Sequence, residues 1–259
     1  MSCARHRPAV RPREAGFTLV ELLVGMAILA VLLAAVFSFQ QSTTEYATTQ
    51  NNQATRLQTV NDIAGYVGDR LRAAGGIAPS SMSLPNGTAA GTSETCSVTG
   101  TRPCLAALLP VVEDARGAAA CTPAVAPGRV VGWTLTVYRY VPRAELESTL
   151  RGPDNATLDQ KAYGLVEIRL NDPSRPPPVA GTCGTRQSTP AAISQYTQVA
   201  ARNLITDQAA VGSAAPFEVD TALKTVTLRV QTVTAQGTKL TYTPSAAPYK
   251  LTVNTRNVP

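Results

Sequence analysis

The chain has 259 residues, 44% of them hydrophobic, with 23 Lys+Arg against 17 Asp+Glu and a formal net charge of +6. Residues 1–16 hold Arg5, Arg7, Arg11 and Arg13 against one acid, about half of that excess, so the basic balance gives little ground for a nucleic-acid partner and none is expected. The one histidine, His6, lies in the same stretch, which excludes Ser-His or Cys-His nucleophile systems and histidine metal sites downstream; HExxH, CxxC and a phosphate-binding glycine loop are also absent. Only carboxylate chemistry is left, so no enzyme activity, cofactor or metal is expected.

Residues 17–39, FTLVELLVGMAILAVLLAAVFSF, are almost wholly apolar. As an α-helix they span roughly 35 Å, enough to cross the hydrocarbon core of a bilayer. A secretory signal peptide fits poorly, because its apolar region is about 7–15 residues and its small-residue cleavage site follows that region. A plain signal anchor explains the length and the basic flank, with the arginines held in the cytoplasm. It leaves Glu21 unexplained except as an acid snorkelling near a helix end. An ionised carboxylate in lipid is costly and asks for a partner.

The order basic leader, Gly16-Phe17-Thr18-Leu19-Val20-Glu21 and apolar run resembles the processing site of type IV prepilins and type II secretion pseudopilins. The resemblance implies cleavage after Gly16 by prepilin peptidase and methylation of the new Phe17 amine by the same enzyme. Residues 1–16 would then be a leader, and His6 and Cys3 would leave with it. Glu21 lies about one helical turn from the Phe17 amine, on the same side of the helix. In a stack of axially offset subunits it can meet the Phe17 ammonium of a neighbour, which makes it an assembly residue. The implied partners are prepilin peptidase, other minor and major pilins through the N-terminal helix, and inner-membrane lipid before assembly.

No proline occurs between Pro12 and Pro79, so nothing forces a helix break in that interval. The stretch after Phe39, QQSTTEYATTQNNQAT, is polar, and its threonines make it a mediocre helix former compatible with a frayed or bent segment. Leu57, Val60, Ala64, Val67 and Leu71, with Ile63 beside them, then recur at helical spacing as a core-facing stripe. Arg56, Asp62, Asp69, Arg70 and Arg72 face elsewhere, and Gly75-Gly76 stops the helix. The expected divisions are 1–16 leader, 17–39 membrane or filament-core helix, 40–76 amphipathic continuation and 77–259 a β-rich domain outside the cytoplasm.

Beyond Gly75 the texture becomes Gly, Pro, Ser, Thr and Ala. Residues 78–128 read mostly as loop, with Leu105–Val112 as a short strand or helix. Without Cys3 the cysteines are Cys96, Cys104, Cys121 and Cys183, an even set suggesting two disulfides in an oxidising compartment. Three pairings are open; Cys96–Cys104 with Cys121–Cys183 is favoured because the first closes a short Thr/Gly/Pro loop. Alternation marks strands at Arg129–Val141, Tyr163–Leu170 and Lys224–Thr234, and a last hairpin at Lys239–Thr243 and Tyr249–Asn254. Residues 171–190, with Pro176-Pro177-Pro178, read as an exposed loop, and Ala191–Ala210 as containing a helix. The sequons at Asn86 and Asn155 are read as coincidence. The fold class is α+β, a long N-terminal helix packed on an antiparallel sheet.

The segment Asp69-Arg70-Leu71-Arg72-Ala73-Ala74-Gly75-Gly76 is similar to the helix ending of PilW-type minor pilins, and Val137-Tyr138-Arg139-Tyr140 and Thr225–Val230 sit where those proteins carry similar strands. The helix-bending proline of major pilins is absent, and the cysteines are spread rather than clustered near the C-terminus. Both departures favour a minor pilin, pilin-like in fold and noncatalytic, that primes or modulates pilus assembly or joins a tip complex. It would sit in the bacterial inner membrane with its C-terminal domain in the periplasm, then in the pilus. A J-type pseudopilin of type II secretion shares this plan, and a signal-anchored periplasmic enzyme or binding protein is the further alternative.

Overall fold

A computed structural model describes residues 18–78, 81–84, 95–100 and 102–255 of the chain. Gly16 and Phe17 lie outside the described residues. By its internal contacts the chain divides into two units that part between Asn52 and Gln53.

The first element, α1, is one α-helix over Leu19–Ala73. Its N-terminus is closed by a capping box: the Thr18 hydroxyl accepts from the Glu21 N–H at 3.3 Å, and Glu21 Oε2 accepts from the Thr18 N–H at 3.0 Å. Arg70 and Arg72 in the last turn suit the negative end of the helix dipole. The polar stretch 40–55 does not fray or break. Thr43, Thr44, Thr48 and Thr49 donate their hydroxyls to the carbonyl four residues back at 2.8–2.9 Å, as Ser42 does to Ser38 at 3.1 Å. Each threonine thus satisfies its own polar group within the helix instead of competing with the backbone elsewhere.

In the second unit the strands are β1 (Gly76–Ile77), β2 (Ser81–Ser83), β3 (Thr95–Ser97), β4 (Cys104–Val112), β5 (Val130–Pro142), β6 (Tyr163–Asn171), β7 (Gln198–Ala209), β8 (Phe217–Asp220), β9 (Thr225–Val230), β10 (Thr232–Gln236), β11 (Lys239–Thr243) and β12 (Tyr249–Asn254). Two short helices, α2 (Ala115–Ala120) and α3 (Ala156–Lys161), lie in the connections. The principal sheet has seven strands in the order β1-β4-β5-β6-β7-β10-β11; a second has β12-β9-β8, and β2 pairs with β3. The pairings between these strands are all antiparallel. This is the α+β, pilin-like architecture: a long apolar N-terminal helix followed by an antiparallel sheet domain.

The central strands β4, β5 and β6 of the large sheet carry buried residues on both faces, and strand alternation sorts their side chains. Leu105, Ala107, Tyr138, Tyr140 and Leu165 join Val60, Ile63, Ala64, Val67 and Leu71 of α1 in one core, which Phe217, Val226, Leu228, Val230 and Val253 of the small sheet complete. Ala106, Leu108, Leu135, Val137, Val166, Ile168 and Leu170 face a second core with Leu84, Trp133, Leu146 and Tyr196. The helix lies close to β12 at Gly68, where an added Cβ would sit 2.6 Å from Leu251 Cδ2. Leu57, the first residue of the sequence stripe, is exposed; burial begins at Val60.

Of the two forms open for Leu105–Val112 the structure takes strand, part of nine-residue β4 between β1 and β5, buried from Cys104 to Leu108 and more open beyond. Other local expectations are corrected. Ala191–Ala210 holds only a 3-10 turn at Ile193–Gln195 and then β7, because register pairing along β6 outweighs its helix-permissive composition. Lys224–Thr234 is two strands in different sheets. At the break, the Gln231 carbonyl accepts from the Ala210 N–H at 2.8 Å and its side-chain amide donates to the Pro244 carbonyl at 2.8 Å. The last two strands are not a hairpin. β11 returns on β10 through the two-residue turn Gly237-Thr238, with Gly237 at φ +60°, while β12 pairs with β9.

Candidate assembly segment and the polar centres of the domain

The sequence places its assembly chemistry at Gly16, Phe17 and Glu21. The first two fall outside the described residues, and Glu21 stands in the first turn of α1. Its Oε2 accepts from both the N–H and the hydroxyl of Thr18, each at 3.0 Å. In a single chain the acid is therefore held at the helix start by its own cap. The Thr-x-x-Glu spacing of Thr18 and Glu21 is the sequence signature of this box. Around it Leu19, Val20, Leu22, Leu23, Val24 and Met26 are all more than half exposed. The helix is long and apolar enough to cross a membrane. A helix apolar on every side requires lipid or other helices around it.

Three polar centres organise the domain. Glu167, on the α1-facing side of β6, has a fully buried side chain. It accepts from the Tyr66 hydroxyl at 2.9 Å and from Arg169 Nε at 2.7 Å, with Arg70 Nε at 3.7 Å and the Arg70 guanidinium 4.6 Å from the Tyr66 ring centre. Burial, helped by the Glu167 charge, pushes the Tyr138 phenol up from its ordinary value. This centre is a polar latch between the lower part of α1 and the sheet.

The second centre is Arg143, 2% exposed. It donates to Asp207 at 3.1 Å, to Asp159, and to the carbonyls of Gly152 and Pro153 at 3.1 and 2.9 Å. Asn155 caps α3 by accepting from the N–H groups of Thr157 and Leu158, so its side chain is committed to the fold. Close by, a cleft of about 270 Å³ is spanned by the pairs Arg102–Glu145 at 2.6 Å and Arg202–Glu147 at 3.7 Å. Arg139 lines it as well, and the two pairs brace the loop after β5.

The third centre joins the cysteines. The structure bonds Cys96 to Cys104 and Cys121 to Cys183. Beside the second pair, Glu113 is 3% exposed and accepts from Arg129 Nη2 at 2.6 Å and from the Gly184 N–H at 2.9 Å. The Gly184 N–H, then Arg129, hold the Glu113 carboxyl below the usual glutamate value. Ligand atoms of Glu113, Cys121 and Cys183 lie within 4.8 Å of one another. With the sulfurs bonded to each other and Arg129 on the carboxylate, this trio is built as a structural tie rather than a cation site. Neither Glu113 nor Arg143 stood out in the sequence, where an isolated charge carries no mark of burial.

Against these features stands one comparison with known proteins. Residues 11–37 match the prokaryotic N-terminal methylation motif. The match runs from Arg11 to Phe37, so it takes in Gly16, Phe17, Glu21 and most of the apolar run, and it supports a type IV pilin-like or pseudopilin-like protein processed by prepilin peptidase. With the exposed apolar helix it is consistent with anchoring in the inner membrane. No curated protein and no solved structure matches the chain.

Proposed function

We propose that the protein is a minor type IV pilin, most like the PilW type, which takes part in priming, capping or modulating pilus assembly and has no catalytic role. The observation that carries this reading is the methylation motif at 11–37 on an α1 whose stretch 19–39 is almost wholly apolar and unburied in the single chain. Such a helix is satisfied among other pilin helices, and Glu21 exchanges its Thr18 cap for the Phe17 ammonium of a neighbour. The latch at Tyr66 and Glu167 then ties the assembled helix to the sheet domain.

The test is recovery in sheared surface filaments. The natural chain should co-purify with them, and Glu21→Ala should be processed normally yet recovered at a clearly lower level. Equal recovery of Glu21→Ala would remove the pairing role. A J-type pseudopilin shares the same motif and helix. That reading takes over if loss of the chain stops exoprotein secretion and leaves piliation unchanged.

A further inference from the structure

The two disulfides stand in opposite surroundings. Cys96 and Cys104 are 3% and 1% exposed, closed in by the second core. Cys183 is exposed, while its partner Cys121 is buried. Arg129 Nη2 lies 3.6 Å from Cys121 Sγ and 3.7 Å from Cys183 Sγ. Thiol–disulfide exchange needs an accessible sulfur to attack and a departing sulfur whose thiolate is stabilised, and a neighbouring guanidinium provides that stabilisation. The opposing charge is Glu113. Its Oε1 is 4.0 Å from Cys121 Sγ but already accepts the Gly184 N–H, while Oε2 is taken by Arg129. Asp114, the other acid nearby, is committed to capping α2 through the Gly117 N–H at 2.6 Å.

We infer that Cys183 Sγ is a thiol–disulfide exchange site, at which an external dithiol, small or carried by a protein, reduces Cys121–Cys183 and leaves Cys96–Cys104 intact. One thiolate of the dithiol attacks Cys183 Sγ and forms a mixed disulfide. The Cys183–Cys121 bond breaks, and Cys121 departs with the electron pair beside Arg129. It takes up a proton and donates it to the Gly117 carbonyl, 3.4 Å away. The second thiol of the dithiol then attacks its own sulfur in the mixed disulfide and releases Cys183 as a thiolate that is protonated. The dithiol ends as a disulfide, having supplied two electrons and two protons.

The bond closes a loop of sequence separation 62. Once it opens, residues 172–190 rest on the hydrogen bonds around Gly184, on the Gln187 N–H to the Val130 carbonyl at 3.0 Å, and on the Trp133 indole N–H to the Gln187 carbonyl at 3.3 Å. Trp133 is the single tryptophan of the chain, so its fluorescence reports this release.

The test exposes the full chain in detergent to limiting dithiothreitol near neutral pH, quenches with an alkylating reagent and assigns labelled cysteines by peptide mass spectrometry. Cys121 and Cys183 should be labelled at least roughly tenfold faster than Cys96 and Cys104, with Trp133 emission changing in step. Arg129→Gln should slow that labelling about threefold, and Glu113→Gln should speed it. Mere loosening of the loop would make both variants faster, so a faster Arg129→Gln overturns the inference. Simultaneous reduction of both pairs, or earlier reduction of Cys96–Cys104, overturns it in the natural chain even where a variant does not fold.

Discussion

Removing the Arg143 guanidinium by Arg143→Ala would strip partners from two acids and two carbonyls at once. The side chain is 2% exposed, and Asp207 and Asp159 are 17% and 20% exposed. Breaking a buried ion pair by deleting one partner costs about 3–5 kcal/mol, because the remaining charge is left uncompensated. Here the low end applies. Both carboxylates keep some access to water, and Pro153, whose carbonyl also loses a donor, is exposed. About 3 kcal/mol in a domain of some 200 residues lowers the melting temperature by about 6–12 °C. Trp133 fluorescence followed through thermal unfolding of the full chain in detergent measures this directly. Arg143→Lys should recover part of the loss, since it restores the charge but not the fork that serves four acceptors. A fall of less than about 2 °C for Arg143→Ala would refute the reasoning, showing that the loop after β5 is held mainly by its apolar contacts.

Other outcomes follow from the same geometry. Tyr66→Phe removes one hydrogen bond to a buried carboxylate that keeps Arg169, so it should cost about 1–2 kcal/mol and lower the melting temperature by a few degrees, read by the same fluorescence melt. At Gly75 an added Cβ would overlap the Trp133 ring, so Gly75→Ala should destabilise by about 1–3 kcal/mol and shift Trp133 emission; an unchanged spectrum would contradict the packing. Glu113 has a folded-state pKa below its unfolded value, so its contribution is present above the ordinary glutamate range and is lost as pH falls through the lowered value. Stability should therefore decline with acidification below that range, and Glu113→Gln should flatten the decline in pH-dependent melts.

The sequence was most legible where one physical pattern dominated. The apolar run stands out by composition, the stripe from Val60 to Leu71 by helical spacing of buried residues, and β5, β6 and β9 by an alternation of side chains between the two faces of their sheets. The candidate assembly residues were legible for a different reason, because the order Gly16, Phe17 and Glu21 around an apolar run is specific in itself. Connectivity was less legible. The Gly237-Thr238 turn that joins β10 to β11 was hidden inside a run of Thr, Gln and Lys, and the crossing at Gln231 depends on partners far along the chain. β7 lacks clear alternation, being only partly buried between β6 and β10, so its identity rests on register pairing. Through its threonine-rich stretch α1 stays helical with the threonine hydroxyls bonded to carbonyls four residues back, so their polar groups are satisfied without leaving the helix. Buried charges such as Arg143, Glu113 and Glu167 gave no signal, since nothing local separates them from surface residues.

The central claim is that this chain is matured as a type IV pilin-like assembly subunit. Mass spectrometry of the N-terminal peptide from the membrane-extracted protein tests it most directly. The methylation motif predicts a chain beginning at Phe17 with a methylated amine, and a Gly16 variant that keeps its leader. An intact leader on the natural protein, or normal maturation of the Gly16 variant, would contradict it.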